Sequence, residues 1–159
     1  MDHYQFALQM EKDGEQFYRD LANNAVYDGF KTIFTQLADD EVEHQKIFTR
    51  LQANLPVAKA ASHLAGPNVF AQLKKDDFAA GVDDSQLNLY QKALEMEKQS
   101  QDLYAKEAAA TTEPELATIF KQLAAEEERH YFLIHNIVEL MLHPQNWVEN
   151  GEFYHLEEY

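Results

Sequence analysis

IFTQLADDEVEH, Ile33 to His44, returns 86 residues later as IFKQLAAEEERH, Ile119 to His130. Extended outward, the same shift aligns Tyr4–Leu51 with Tyr90–Ile137 without a gap, and 17 of the 48 positions are identical. ALQMEK at Ala7–Lys12 meets ALEMEK at Ala93–Lys98, and Tyr18 meets Tyr104. A gapless match that carries Glu11 onto Glu97, Glu41 onto Glu127 and His44 onto His130 indicates two copies of one helical unit.

Each copy reads as two helices. Phe34, Leu37, Glu41, His44, Phe48 and Leu51 recur at spacings of three and four, as do Phe120, Leu123, Glu127, His130, Ile134 and Ile137. Such a row is the inward stripe of a bundle helix. Tyr4, Leu8, Glu11, Tyr18 and Ala22 give the stripe of the first helix, and Tyr90, Leu94, Glu97, Tyr104 and Ala108 that of the third. Asp83 with Gln86 reads as a capping pair opening the third helix. Thr112-Glu113-Pro114-Glu115 offers an N-cap, with Pro and acids in the first turn of the fourth, and Pro144 a stop after it. Between the hairpins, about residues 54–84, runs a long crossover holding Pro56, Gly66, Pro67 and Gly81, with a short helix expected at Phe70–Lys74. Two short turns and one long crossover predict an all-α, ferritin-like four-helix bundle over residues 1–143. The tail, residues 144–159 (ending NWVENGEFYHLEEY), is expected to dock its aromatic residues on the bundle or on a second subunit.

Six polar residues occupy these apolar stripes: Glu11, Glu41, His44, Glu97, Glu127 and His130. An ion in such a position costs on the order of several kcal/mol, so the carboxylates must either take up protons or have cations between them. Spacing favours cations. Glu41-x-x-His44 and Glu127-x-x-His130 each send both side chains from one helix face. Glu11 and Glu41 are equidistant from residue 26, in the NNAVYDG segment, and Glu97 and Glu127 from residue 112, in TTEP. In antiparallel hairpins, equidistant residues share one height. One Glu from each of two helices plus Glu-x-x-His from the other two is the arrangement of di-iron and di-manganese carboxylate sites. Carboxylates with one imidazole per metal suit Fe or Mn, and four carboxylates neutralise two divalent ions. In this reading Glu41 and Glu127 bridge or chelate, Glu11 and Glu97 cap one metal each, and His44 and His130 ligate one each. Tyr18 and Tyr104 face inward on the same stripes, either as core tyrosines or as hydroxyls bonded to a ligand Glu. Glu15 is expected to face solvent, with joining the site as the alternative; Glu43, Glu126 and Glu128 are expected to form a solvated face, and His3, His63, His135, His143 and His155 to lie outside the ligand set.

Composition narrows the partners. The 159 residues carry 28 Asp and Glu against 13 Lys and Arg, a formal charge of −15 that disfavours nucleic acid and anionic lipid. No apolar run reaches the length of a membrane span, and the opening MDHYQFALQMEKDGEQ has no secretory signature, so export is not expected. There is no cysteine, which excludes thiolate metal sites, iron–sulfur clusters and thiol catalysis within this sequence.

ALQMEKDGEQFY and IFTQLADDEVEH, with their copies ALEMEKQSQDLY and IFKQLAAEEERH, resemble the ferritin-like di-iron domain of the rubrerythrins, over about Tyr4 to Leu142. The resemblance implies two iron ions on the six residues named above, with Tyr18 and Tyr104 at the outer tyrosine positions. It further implies a cytoplasmic, homodimeric peroxide reductase, re-reduced by a donor protein. Two departures stand out. Rubrerythrins usually carry a four-cysteine rubredoxin domain, so here electrons are expected from a separate rubredoxin-like or flavin protein. Many also have a further Glu three residues after the third-helix Glu, where this chain has Ser100 and, in the other half, Gly14. The resulting set of four Glu and two His is closer to the symmetric site of bacterioferritins. That keeps a ferroxidase or iron-handling protein as the alternative, with dioxygen as the competing oxidant. A manganese catalase and a purely structural metal staple are further options.

Overall fold

A computed structural model describes residues 2–58, 62 and 84–143. Four helices account for nearly all of them: α1 (His3–Asn24), α2 (Asp28–Gln52), α3 (Asp84–Ala110) and α4 (Pro114–Leu142). Among the described residues there is no strand, and no helix is long and apolar enough to cross a membrane. The expected short helix at Phe70–Lys74, the Asp83 cap and the tail after His143 lie outside the described residues.

Local chemistry sets the helix ends. Asp2 caps α1 by accepting the Gln5 N–H at 2.8 Å. Only residues 25–27 separate α1 from α2, whose first turn places Asp28 against the positive end of the helix dipole. At the other end of α2, Asn54 adopts a left-handed φ of 52°; its N–H bonds to Leu51 O at 3.1 Å and the Leu55 N–H to Arg50 O at 2.9 Å. This pair of bonds is a Schellman stop, in which Asn replaces the usual Gly. The Arg50 side chain also donates to Pro56 O. Pro114 opens α4 where its missing N–H is harmless. The capping residue, however, is Glu113 rather than Thr112, and Thr111 supplies the hydroxyl, accepting the Glu113 N–H at 3.2 Å.

The chain divides into two compact units, residues 1–73 and 74–159. In the first, α1 packs on α2; in the second, α3 packs on α4. Both follow the repeat. The first hairpin buries Ala7, Tyr18, Ala22, Phe34, Leu37, Ala38 and Phe48, and Tyr18 lies over Phe34 with ring centroids 6.5 Å apart. The second buries Ala93, Tyr104, Ala108, Phe120, Leu123 and Ile134, with Tyr104 over Phe120 at 6.2 Å. On α2 a second row joins the expected stripe: Ile33, Asp40 and Ile47, seven residues apart and all buried. Its counterpart on α4 holds Glu126, Leu133 and Leu140. The buried face is therefore wider than a single three-four row.

Phe34 sits at the centre of the first hairpin. Phe34→Ala is expected to cost about 3–5 kcal/mol in urea unfolding. Phe6→Ala, at a position 49% exposed, is expected to change stability by only a few tenths of a kcal/mol.

Candidate metal centre

The turn geometry brings the first candidate ligand set together within one hairpin. Residues 25–27 form the α1–α2 connection, so Glu11 and Glu41, on either side of it, meet at one height. His44, one turn beyond Glu41, points its Nδ1 at both: 3.2 Å from Glu11 Oε2 and 3.9 Å from Glu41 Oε2. One donor atom from each of the three lies within 4.8 Å of the others.

The second hairpin repeats this arrangement. His130 Nδ1 is 3.5 Å from Glu97 Oε1 and 3.5 Å from Glu127 Oε2, and again one donor atom from each of the three lies within 4.8 Å of the rest. None of the six residues is more than 4% exposed. Glu97 shows the electrostatic consequence. Burial, chiefly, and the neighbouring Glu127 carboxylate push its pKa from 4.5 up to about 8, against the lowering effect of His130. A cation among these oxygens would supply the missing positive charge. Oxygen and imidazole donors with no sulfur fit iron or manganese, and each set offers two carboxylates and one ring nitrogen.

Around the two sets several acids depart from the sequence expectation. Glu126 is buried rather than part of a solvated face, and pairs with Arg129 at 3.6 Å. The reason is its place on the second buried row of α4. Asp40, its repeat counterpart, is buried too and accepts the Ser62 hydroxyl at 3.2 Å. The sequence carried a signal for this, since an acid precedes the stripe Glu in both halves and falls in register with Ile33 and Ile47. Glu128 is exposed as expected, and Glu43 is half-buried against Lys46 at 2.7 Å. Glu15 is half-buried rather than facing solvent: it accepts from Gln45 Nε2 at 2.8 Å and pairs with Arg19 at 3.4 Å. Arg19 extends this network to Asp39 at 2.7 Å. Spacing along one helix could not reveal it, because Gln45 and Asp39 come from the facing helix. Tyr18 and Tyr104 are fully buried. His3 and His143 are exposed, His135 stacks on Tyr131, and His63 and His155 lie outside the described residues.

The raised Glu97 pKa fixes a sign for stability. The folded metal-free protein holds a proton at Glu97 that the unfolded chain releases, so this contribution is complete below pH 4.5 and is lost as pH rises through about 8. We therefore expect chelator-treated protein to melt at a higher temperature near pH 5 than near pH 8, and the difference to shrink in Glu97→Gln. Thermal melts across that range test it.

Comparison with known proteins identifies the family. The family profile described as Rubrerythrin matches residues 4–137. No curated protein and no solved structure gives a significant match. The matched span includes both hairpins and all six buried Glu and His residues, and with its breadth the chain belongs to the rubrerythrin family of ferritin-like, di-iron four-helix proteins.

Proposed function

We propose that Glu11, Glu41, His44, Glu97, Glu127 and His130 together hold two iron ions, and that the protein is an oxidoreductase reducing hydrogen peroxide with electrons from an external donor protein. The observation that carries this reading is the duplication of one buried Glu, Glu, His set, each with an imidazole Nδ1 aimed between two carboxylates at 3.2–3.9 Å. Family membership supports the metal, and the oxygen-rich donor set supports iron.

When bound, an iron pair supplies one electron per ion, and hydrogen peroxide takes two electrons and two protons to give two waters. The chain's own part is to bind, neutralise and keep dry. Four carboxylates balance the charge of two divalent ions. His44 and His130 must each present an unprotonated Nδ1 to a metal, so the ring proton resides on Nε2 in the loaded protein. Tyr18 and Tyr104, buried beside Phe34 and Phe120, close off water and carry hydroxyls suited to orienting a ligand carboxylate. A rubredoxin-like or flavin protein is the class of donor that would return the electrons.

Ser100, where many relatives have a carboxylate, favours a second reading as a ferroxidase of bacterioferritin type. One experiment separates the two. Protein loaded anaerobically with Fe(II) is mixed with equimolar hydrogen peroxide or dioxygen and followed by stopped-flow absorbance. We expect peroxide to oxidise the iron orders of magnitude faster, at two irons per chain. Equal rates with dioxygen, followed by iron accumulating beyond that stoichiometry, would establish the ferroxidase instead. Glu97→Ala is expected to lower iron content by elemental analysis, and an undiminished content would remove Glu97 from the ligand set.

A further inference from the structure

Gly14 lies one helical turn after Glu11 in α1 and is buried. A Cβ at this position would stand 3.4 Å from Glu41 Oε2, 3.5 Å from its Cδ and 3.7 Å from its Cγ. The nearest thing to this glycine is thus the side chain of a residue in the candidate ligand set, met along three consecutive atoms. Nothing in the backbone asks for glycine here, since Gly14 is in the interior of an α-helix. Glycine is also among the least favourable residues for such a place. A small residue recurs at the equivalent point of the other hairpin, where Ser100 follows Glu97 by the same three positions.

We propose that Gly14 is a positioning residue for Glu41. The space left by its missing side chain is the room in which the Glu41 carboxylate turns to set how its two oxygens face a cation. The terminal torsion of Glu is broad and roughly two-fold, and carboxylates bind metals through one oxygen or both. A methyl group at position 14 would lie in ordinary van der Waals contact with the resting carboxylate and would bar its swing to that side. The fold accepts alanine; the ligand does not. This inference rests on the reading of Glu41 as a metal ligand.

The two effects of Gly14→Ala point in opposite directions, which makes them separable. Manganese(II) is titrated into metal-free wild type, G14A, E41D and the double variant, with free Mn(II) counted by electron paramagnetic resonance, and the metal-free proteins are melted in parallel. Metal-free G14A is expected to melt about 2–4 °C above wild type, through helix propensity alone. Its Mn(II) affinity is expected to fall about tenfold, the scale of a disturbed outer partner. In the E41D background the shorter carboxylate withdraws from position 14, so adding G14A is expected to change affinity less than about twofold. The same Mn(II) affinity in G14A as in wild type, or the same loss in both backgrounds, would overturn the role of Gly14. If metal-free G14A melts lower than wild type, the E41D comparison still decides. Wild type that binds no Mn(II) would bring down the metal-ligand reading itself, an outcome distinct from equal binding by wild type and G14A.

Discussion

Four carboxylates held at no more than 4% exposure set a constraint that the rest of the molecule must meet. Each would cost several kcal/mol as an uncompensated ion, and Glu97 shows the strain by holding a proton up to about pH 8. The interior acids outside this set behave differently. Asp40 accepts a hydroxyl from Ser62, and Glu126 has the Arg129 guanidinium at 3.6 Å. The stripe acids instead share a histidine between two carboxylates in each hairpin, an arrangement with one weak base for two acids. Cations would restore the charge balance there, and each hairpin brings two carboxylates and one imidazole within reach of one.

That reach comes from the hairpins. Connections of three residues, 25–27 and 111–113, hold each pair of long helices in fixed register. A glutamate fifteen residues before the centre of the turn faces one fifteen residues after it. The buried Tyr18–Phe34 and Tyr104–Phe120 stacks lie between these acids and the turn. Sequence spacing, turn length and aromatic packing are thus one device, which explains why the duplicated segments retain all three.

The same logic accounts for what could be seen in the sequence and what could not. Helix number, the two turns and the six stripe residues were legible because each depends on period and spacing within a single chain segment. Asp40 and Glu126 were hidden by the assumption of a one-row interior, although their seven-residue register with Ile33, Ile47, Leu133 and Leu140 was present in the sequence. The Glu15–Gln45 and Arg19–Asp39 bonds were out of reach for another reason: they join side chains of facing helices at partly exposed positions, where many pairings satisfy the same pattern. The Asn54 stop of α2 is similar, since Asn in a left-handed turn competes with too many other uses of that residue.

The halves are also unequal in a way that bears on chemistry. Glu15, Arg19, Asp39 and Gln45 form a polar lattice on the flank of the first hairpin, with Gln45 also reaching the Glu11 carbonyl at 3.4 Å. Their repeat counterparts are Gln101, Ala105, Ala125 and Tyr131, and Tyr131 stacks on His135 instead. One Glu, Glu, His set is therefore flanked by charged groups that hold α1 to α2 beside Glu11, whereas at the equivalent positions the other hairpin carries no charged side chain. Duplication provides two similar sets of donors. Divergence of the residues beside them gives each set a different electrostatic setting, and cations held in unequal settings would differ in potential.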